Sequence, residues 1–176
     1  MMEEMRQARY TVVARWLHWI IALLVLWQAY SGVGHEFMPR DQSRAVMGIH
    51  VSVGITTLAL SVLRWIWRLM HKPPPLPLMP EWQVRLAHTV HWTIYALLIL
   101  LPLTGWIFVS GAPFPMSWFG MFDWPKLPVG KDVADIAHGG HIVMGLLMVA
   151  LVLLHVGAAL YHQFGRKDGL IWRMLW

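Results

Sequence analysis

Four apolar stretches dominate the chain, roughly Thr11 to Gly34, Met47 to Leu69, Leu86 to Ser110 and Ile136 to Phe164. Each matches the ~20 residues that an α-helix, rising ~1.5 Å per residue, needs to cross the hydrocarbon of a bilayer. Of the 176 residues, 57% are apolar and only 13% charged, a balance foreign to ordinary water-soluble domains. The expected fold is all-α: an integral membrane four-helix up-down bundle, a single domain over residues 1–176. The first stretch is interrupted by polar side chains, and no small-residue cleavage pattern follows it. It reads as a retained helix rather than a cleaved leader.

The formal net charge of +5 does not mark a nucleic-acid surface, because the basic residues flank the apolar stretches and form no continuous stripe. They report topology instead. With the N-terminus inside, the inner segments carry Arg6, Arg9, Arg15, Arg64, Arg68, Lys72, Arg85, Arg166, Lys167 and Arg173, and the outer ones only Arg40, Arg44, Lys126 and Lys131. Ten against four follows the positive-inside rule and predicts both termini on the cytoplasmic side. The chain has no cysteine, so disulfides, thiolate metal sites and covalent c-type haem attachment are all excluded.

Between the first two stretches, Ser31-Gly32-Val33-Gly34 breaks the helix and a polar loop with Met38-Pro39-Arg40-Asp41 lies outside. His71-Lys72-Pro73-Pro74-Pro75-Leu76-Pro77 ends the second helix in a stiff, extended connector. Pro102 and Gly105 predict a kink or a close approach in the third. The longest loop, Gly111 to Asp132, carries Trp118, Phe119, Phe122 and Trp124 among four prolines. This suits an outer-interface cap on the bundle, with a docking surface for a partner as the alternative.

Ten histidines in so apolar a chain need a reason, since ionisable groups inside a membrane are costly and mark function. His18 lies just inside the inner start of helix 1, and His50 just inside the outer start of helix 2. Helix 4 carries His141 near its outer start and His155 fourteen residues later, a separation of about 21 Å with an angular offset of only ~40°. One face of one helix thus presents a histidine in each membrane half, level with His50 and with His18. A flat macrocycle between helices needs axial nitrogens from opposite sides at one depth, which pairs His18 with His155 and His50 with His141. A bare zinc or copper ion would instead gather three or four ligands at one depth.

The chain resembles the bacterial cytochrome b561 family, the four-helix di-haem group that includes superoxide oxidase. The resemblance runs nearly end to end. It is carried by Arg15-Trp16-Leu17-His18-Trp19, Gly48-Ile49-His50-Val51-Ser52-Val53-Gly54, Arg64-Trp65-Ile66-Trp67-Arg68, the segment Leu86 to Tyr95, His138-Gly139-Gly140-His141, and Leu154-His155 through His162. It implies two haems b, held without covalent attachment by His18, His50, His141 and His155. It also implies a bacterial inner-membrane location and ubiquinone near His91 and His162 at the cytoplasmic haem. His162 follows His155 by seven residues, within ~20° on the same helix face.

His138 and His88 each precede another candidate by three residues, so a shift of one turn would exchange His138 with His141 or bring His88 into the quinone cluster. His35 and His71 fall in loops. Arg15, Arg44 and Lys131 sit near the haem-bearing ends and are candidates for pairing with propionates, with topology as their other reading.

The expected function is electron transfer between haems and quinone, and the resemblance implies superoxide as an outer donor. The alternative is a cytochrome subunit taking electrons from a dehydrogenase or hydrogenase partner outside the membrane. A histidine-lined proton or metal carrier is the reading without haem. Acidic residues lie in tails and loops, so no acid–base or nucleophilic constellation exists and the chemistry belongs to a cofactor.

Overall fold

Thr11 starts the first helix by accepting a hydrogen bond from the Ala14 amide on its hydroxyl, satisfying one of the orphan donors of a helix N-terminus. In the computed structural model, which describes residues 9–75 and 79–175, this helix, α1, spans Val12–Gly34. It continues past the expected break at Ser31. The Ser31 hydroxyl turns back onto the Trp27 carbonyl of its own helix, and the residue is fully buried.

A 3₁₀ turn, His35–Phe37, leads into α2, Arg40–Met70. This helix begins seven residues before its apolar stretch. Pro39 stands at its N-cap and Asp41 in its first turn, and both suit a helix start: proline needs no donor there, and an acidic side chain faces the positive end of the dipole. Helix α3, Glu81–Gly111, likewise starts behind a proline with an acid in its first turn, before the apolar residues begin. Helix α4 spans Lys131–Leu160 and passes into a π-helical turn, Tyr161–Arg166. The polar extensions stand beyond the hydrocarbon, where hydropathy cannot register them. Arg6 and the Leu76-Pro77 part of the connector lie outside the described residues.

All four helices are long and apolar enough to cross a membrane. Their central layer joins Ile21 of α1, Leu97 and Leu98 of α3 and Met148 of α4, with Leu60 of α2 packed against it. Met148 lies seven residues from His141 and seven from His155, so this layer falls between the two histidine levels. Leu23, Leu26, Ile66, Val143, Leu146 and Leu153 point outward, as a hydrocarbon-facing surface requires.

The long outer loop forms a short hairpin, β1 (Ser117–Trp118) paired antiparallel with β2 (Phe122–Asp123). Its turn uses Phe119 and Gly120 at positive φ. The hairpin docks on α2: Phe119 donates its amide to Ser52 Oγ at 2.9 Å, and Trp118 donates its indole N–H to Thr56 Oγ1 at 3.0 Å. The loop is therefore a cap on the bundle, anchored at the level of His50.

At the inner end a 3₁₀ turn, Leu170–Arg173, folds back across the start of α1. Arg15 and Trp19 donate to the carbonyls of Leu175 and Met174, and buried Arg173 donates to the Pro75 carbonyl at 2.7 Å. Both ends of the described chain thus lie on one side of the bundle.

Candidate functional site

Helix α4 packs along α3, while α1 packs along α2. Its two histidines point the other way, across the gaps toward α1 and α2. His155 faces His18 of α1 with ring centres 6.2 Å apart, and His141 faces His50 of α2 at 6.1 Å. The ring planes of the two pairs cross at 73° and 67°. Two imidazoles bound on opposite sides of one metal ion, with bonds of about 2 Å, would place their ring centres roughly 6 Å apart. Among the described residues no three side chains capable of binding metal converge. The arrangement offers two ligands at each of two levels, which fits an iron that brings its own equatorial nitrogens.

The outer pair is oriented by oxygens. Ser31 Oγ lies 2.8 Å from His50 Nδ1, and with its hydroxyl proton on the Trp27 carbonyl of its own helix it accepts from Nδ1–H. His141 donates from Nδ1 to the Leu101 carbonyl at 3.0 Å, with Thr104 Oγ1 at 3.3 Å. With Nδ1 protonated, the lone pair of each ring lies on Nε2, the nitrogen available to a metal. Gly105 makes the second contact possible, since a Cβ there would stand 3.2 Å from Cε1 of His141. The close approach expected at Pro102 and Gly105 is thus an approach to a site histidine.

Around the inner pair the arrangement differs. His91 of α3 lies with its ring 5.5 Å from that of His155. The Arg64 guanidinium donates to the Ala14 carbonyl at 2.7 Å, one turn before His18, and lies within electrostatic range of His18, His91 and His155. Arg64 and Arg68 both stack over Tyr95, and Arg68 also over Trp92.

His162 sits in the π turn, buried, with its Nδ1 2.5 Å from Asp168 Oδ2. The structure brings His91 to the inner pair and seats His162 in a separate dyad. His138 stacks on Phe108 at 4.1 Å and His71 on Trp67 at 3.9 Å, while His35 lies against the Ser31 carbonyl. His88 stands one helical turn from His91. Of the cations considered for propionates, Arg15 binds the Leu175 carbonyl and Lys131 pairs with Asp135.

Ser31, Leu101, Arg64 and Asp168 are the neighbours that sequence reasoning passed over. For Arg64 a signal existed: it follows His50 by fourteen residues, the same interval that separates His141 from His155, hence the same face one level inward. For the others none did, since a serine within an apolar helix and a backbone carbonyl look alike at every position.

A four-helix membrane bundle whose imidazoles face each other in pairs across interhelical gaps is the architecture of a membrane cytochrome. Residues 9–176 match prokaryotic cytochrome b561. The chain is 32% identical to a protein of Yersinia pestis named probable superoxide oxidase CybB, over 95% of this chain and 96% of that one. It is 31% identical to cytochrome b561 homolog 2 of Escherichia coli K12, covering 95% and 91%, and 28% identical to cytochrome b562 of Cereibacter sphaeroides, covering 94% of each. The chain therefore belongs to the prokaryotic cytochrome b561 family: it is a multi-pass membrane b-type cytochrome of electron transfer.

Proposed function

We propose that this cytochrome holds two haems b, one between His50 and His141 and one between His18 and His155, and carries electrons from superoxide at its outer face to ubiquinone at its inner face. The observation that carries the reading is the pair of ring separations, 6.1 and 6.2 Å, at two levels of one bundle. When bound, the haems supply one-electron chemistry that none of these side chains offers. His50 and His141 present Nε2 lone pairs into the outer gap, His18 and His155 face each other across the inner one, and the apolar layer of Ile21, Leu97, Leu98 and Met148 separates the two levels.

His91 and His162 are the proposed quinone-binding residues. His91 stands beside the inner pair, and His162, with Nδ1–H on Asp168, keeps the Nε2 lone pair to accept from a quinol hydroxyl. The overall reaction balances when two superoxide anions give up one electron each as two dioxygens, and one quinone takes two electrons and two protons to become quinol. The relative named probable superoxide oxidase supports superoxide as the donor. The basic-residue asymmetry supports cytoplasmic termini in the bacterial inner membrane.

Reduced-minus-oxidised spectra with haem quantitation test the ligands. The parent should carry two haems per chain, and His18→Ala and His50→Ala should each lose a different one. Retention of both haems in either variant would sink the assignment. For the quinone site, His91→Ala and His162→Ala should slow ubiquinone reduction about tenfold or more, with haem reduction by superoxide unchanged. Unaltered ubiquinone turnover would remove these residues from the site. A purified chain inert toward superoxide that co-purifies with a dehydrogenase or hydrogenase would be a subunit of that complex instead.

A further inference from the structure

The two histidine pairs are alike in spacing and unlike in surroundings. In the outer pair both Nδ1–H groups donate to oxygen, His50 to Ser31 Oγ at 2.8 Å and His141 to the Leu101 carbonyl at 3.0 Å. Neither acceptor is adventitious. Ser31 is fully buried, its own proton is committed to the Trp27 carbonyl, and the missing side chain of Gly105 admits the His141 ring. In the inner pair, among the described residues, neither His18 nor His155 has an oxygen at hydrogen-bond distance. The Ala14 carbonyl, one turn before His18, accepts instead from the Arg64 guanidinium at 2.7 Å.

Both differences act in the same direction. An imidazole that donates from Nδ1 gains anionic character, becomes a stronger donor through Nε2, and favours the ferric state. A guanidinium beside a ligand favours the less positive, ferrous state. We propose that Ser31 and the Leu101 carbonyl hold the outer iron at the lower midpoint potential while Arg64 holds the inner iron at the higher one. With haems bound, an electron delivered at the outer face would then pass inward downhill, one haem losing the electron that the other gains, with no proton or bond changing hands. Ser31 and Arg64 act through the ligands, as positioning residues that set the direction of flow. The inference rests on the two-haem reading.

Spectroelectrochemistry of the purified holoprotein tests it, with haem counted first. One haem per chain in the parent would overturn the two-haem reading, and this proposal with it. Given two haems, the parent should show two one-electron waves, and His50→Ala should lose the lower. Ser31→Ala should lift the lower wave and leave the higher in place, and Ser31→Thr, which keeps a hydroxyl, should restore the parent value. Arg64→Gln should drop the higher wave alone. A single two-electron wave, survival of the lower wave in His50→Ala, or unmoved waves in either Ser31→Ala or Arg64→Gln would overturn the proposal while leaving the haem assignment standing. Should Ser31→Ala fail to assemble, the order of waves in the parent against His50→Ala decides.

Discussion

His141 shows how little room a site residue leaves its neighbours. Its ring, bonded to the Leu101 carbonyl, lies so near position 105 that a Cβ there would stand 3.2 Å from its Cε1. Introducing a β-branched residue there would push against Cε1 and Nδ1, the atoms nearest the missing Cβ, and turn Nε2 away from His50. On the two-haem proposal, Gly105→Val should therefore drop haem content from two per chain to about one, with the inner haem retained; a full complement would show that the ring can yield. The crossed ring planes, 73° and 67°, carry their own expectation. Electron paramagnetic resonance of the oxidised protein should show strongly anisotropic, large-gmax low-spin signals from both irons, and a rhombic signal of the parallel-ring type would contradict the geometry.

At the scale of elements, the bundle is held closed at its outer end where α3 meets α4. A Cβ on Gly111 would fall 2.5 Å from the Ala134 Cβ and 3.3 Å from the Gly130 carbonyl, so only glycine lets the two helices approach this closely. Gly111→Ala should cost about 1–3 kcal/mol as overpacking and appear as a lower Tm in detergent. An unchanged Tm would mean that the helix ends separate freely. The hairpin cap depends on two hydroxyls of α2, Ser52 and Thr56, which receive the Phe119 amide and the Trp118 indole. Such contacts fix the cap where apolar packing alone would let it slide, since a hydrogen bond in a site of low polarity is costly to leave unmade. Position-specific polar residues in a membrane helix thus report docking as well as cofactors.

For the whole molecule, the orientation proposed from the distribution of basic residues is open to direct test. The chain has no cysteine, so single cysteines introduced at Asp41, Asp123, Lys72 and Lys167 report on a clean background. In intact cells an impermeant thiol reagent should modify the first two and not the last two, and the reverse pattern would invert the topology. At the inner face, Thr11 receives the Trp67 indole N–H, Arg166 binds Gln83, and Arg173 binds the Pro75 carbonyl. This polar strapping joins all four helix ends on one side. Between the helices, where hydrocarbon removes the hydrophobic drive to associate, close packing and directed contacts of this kind act together.

Composition and the lengths of the apolar stretches determined that this chain crosses a membrane as four helices, because hydrocarbon admits no backbone that is not internally hydrogen-bonded. Periodicity did as much for the site. Residues fourteen apart share a helix face, so the level and pairing of His18, His50, His141 and His155 followed from counting, and the structure places their rings in those pairs. The helix starts at Arg40, Glu81 and Lys131 did not follow, since polar turns beyond the bilayer leave no hydropathy signal and are set by Pro39, Pro80 and Gly130 at the caps. Nor did the partners of the histidines. The Ser31 hydroxyl, the Leu101 carbonyl and the Arg64 guanidinium come to their rings from other helices, and such contacts exist only once the crossing of those helices is set by packing. That is the level at which two chemically identical histidine pairs became different.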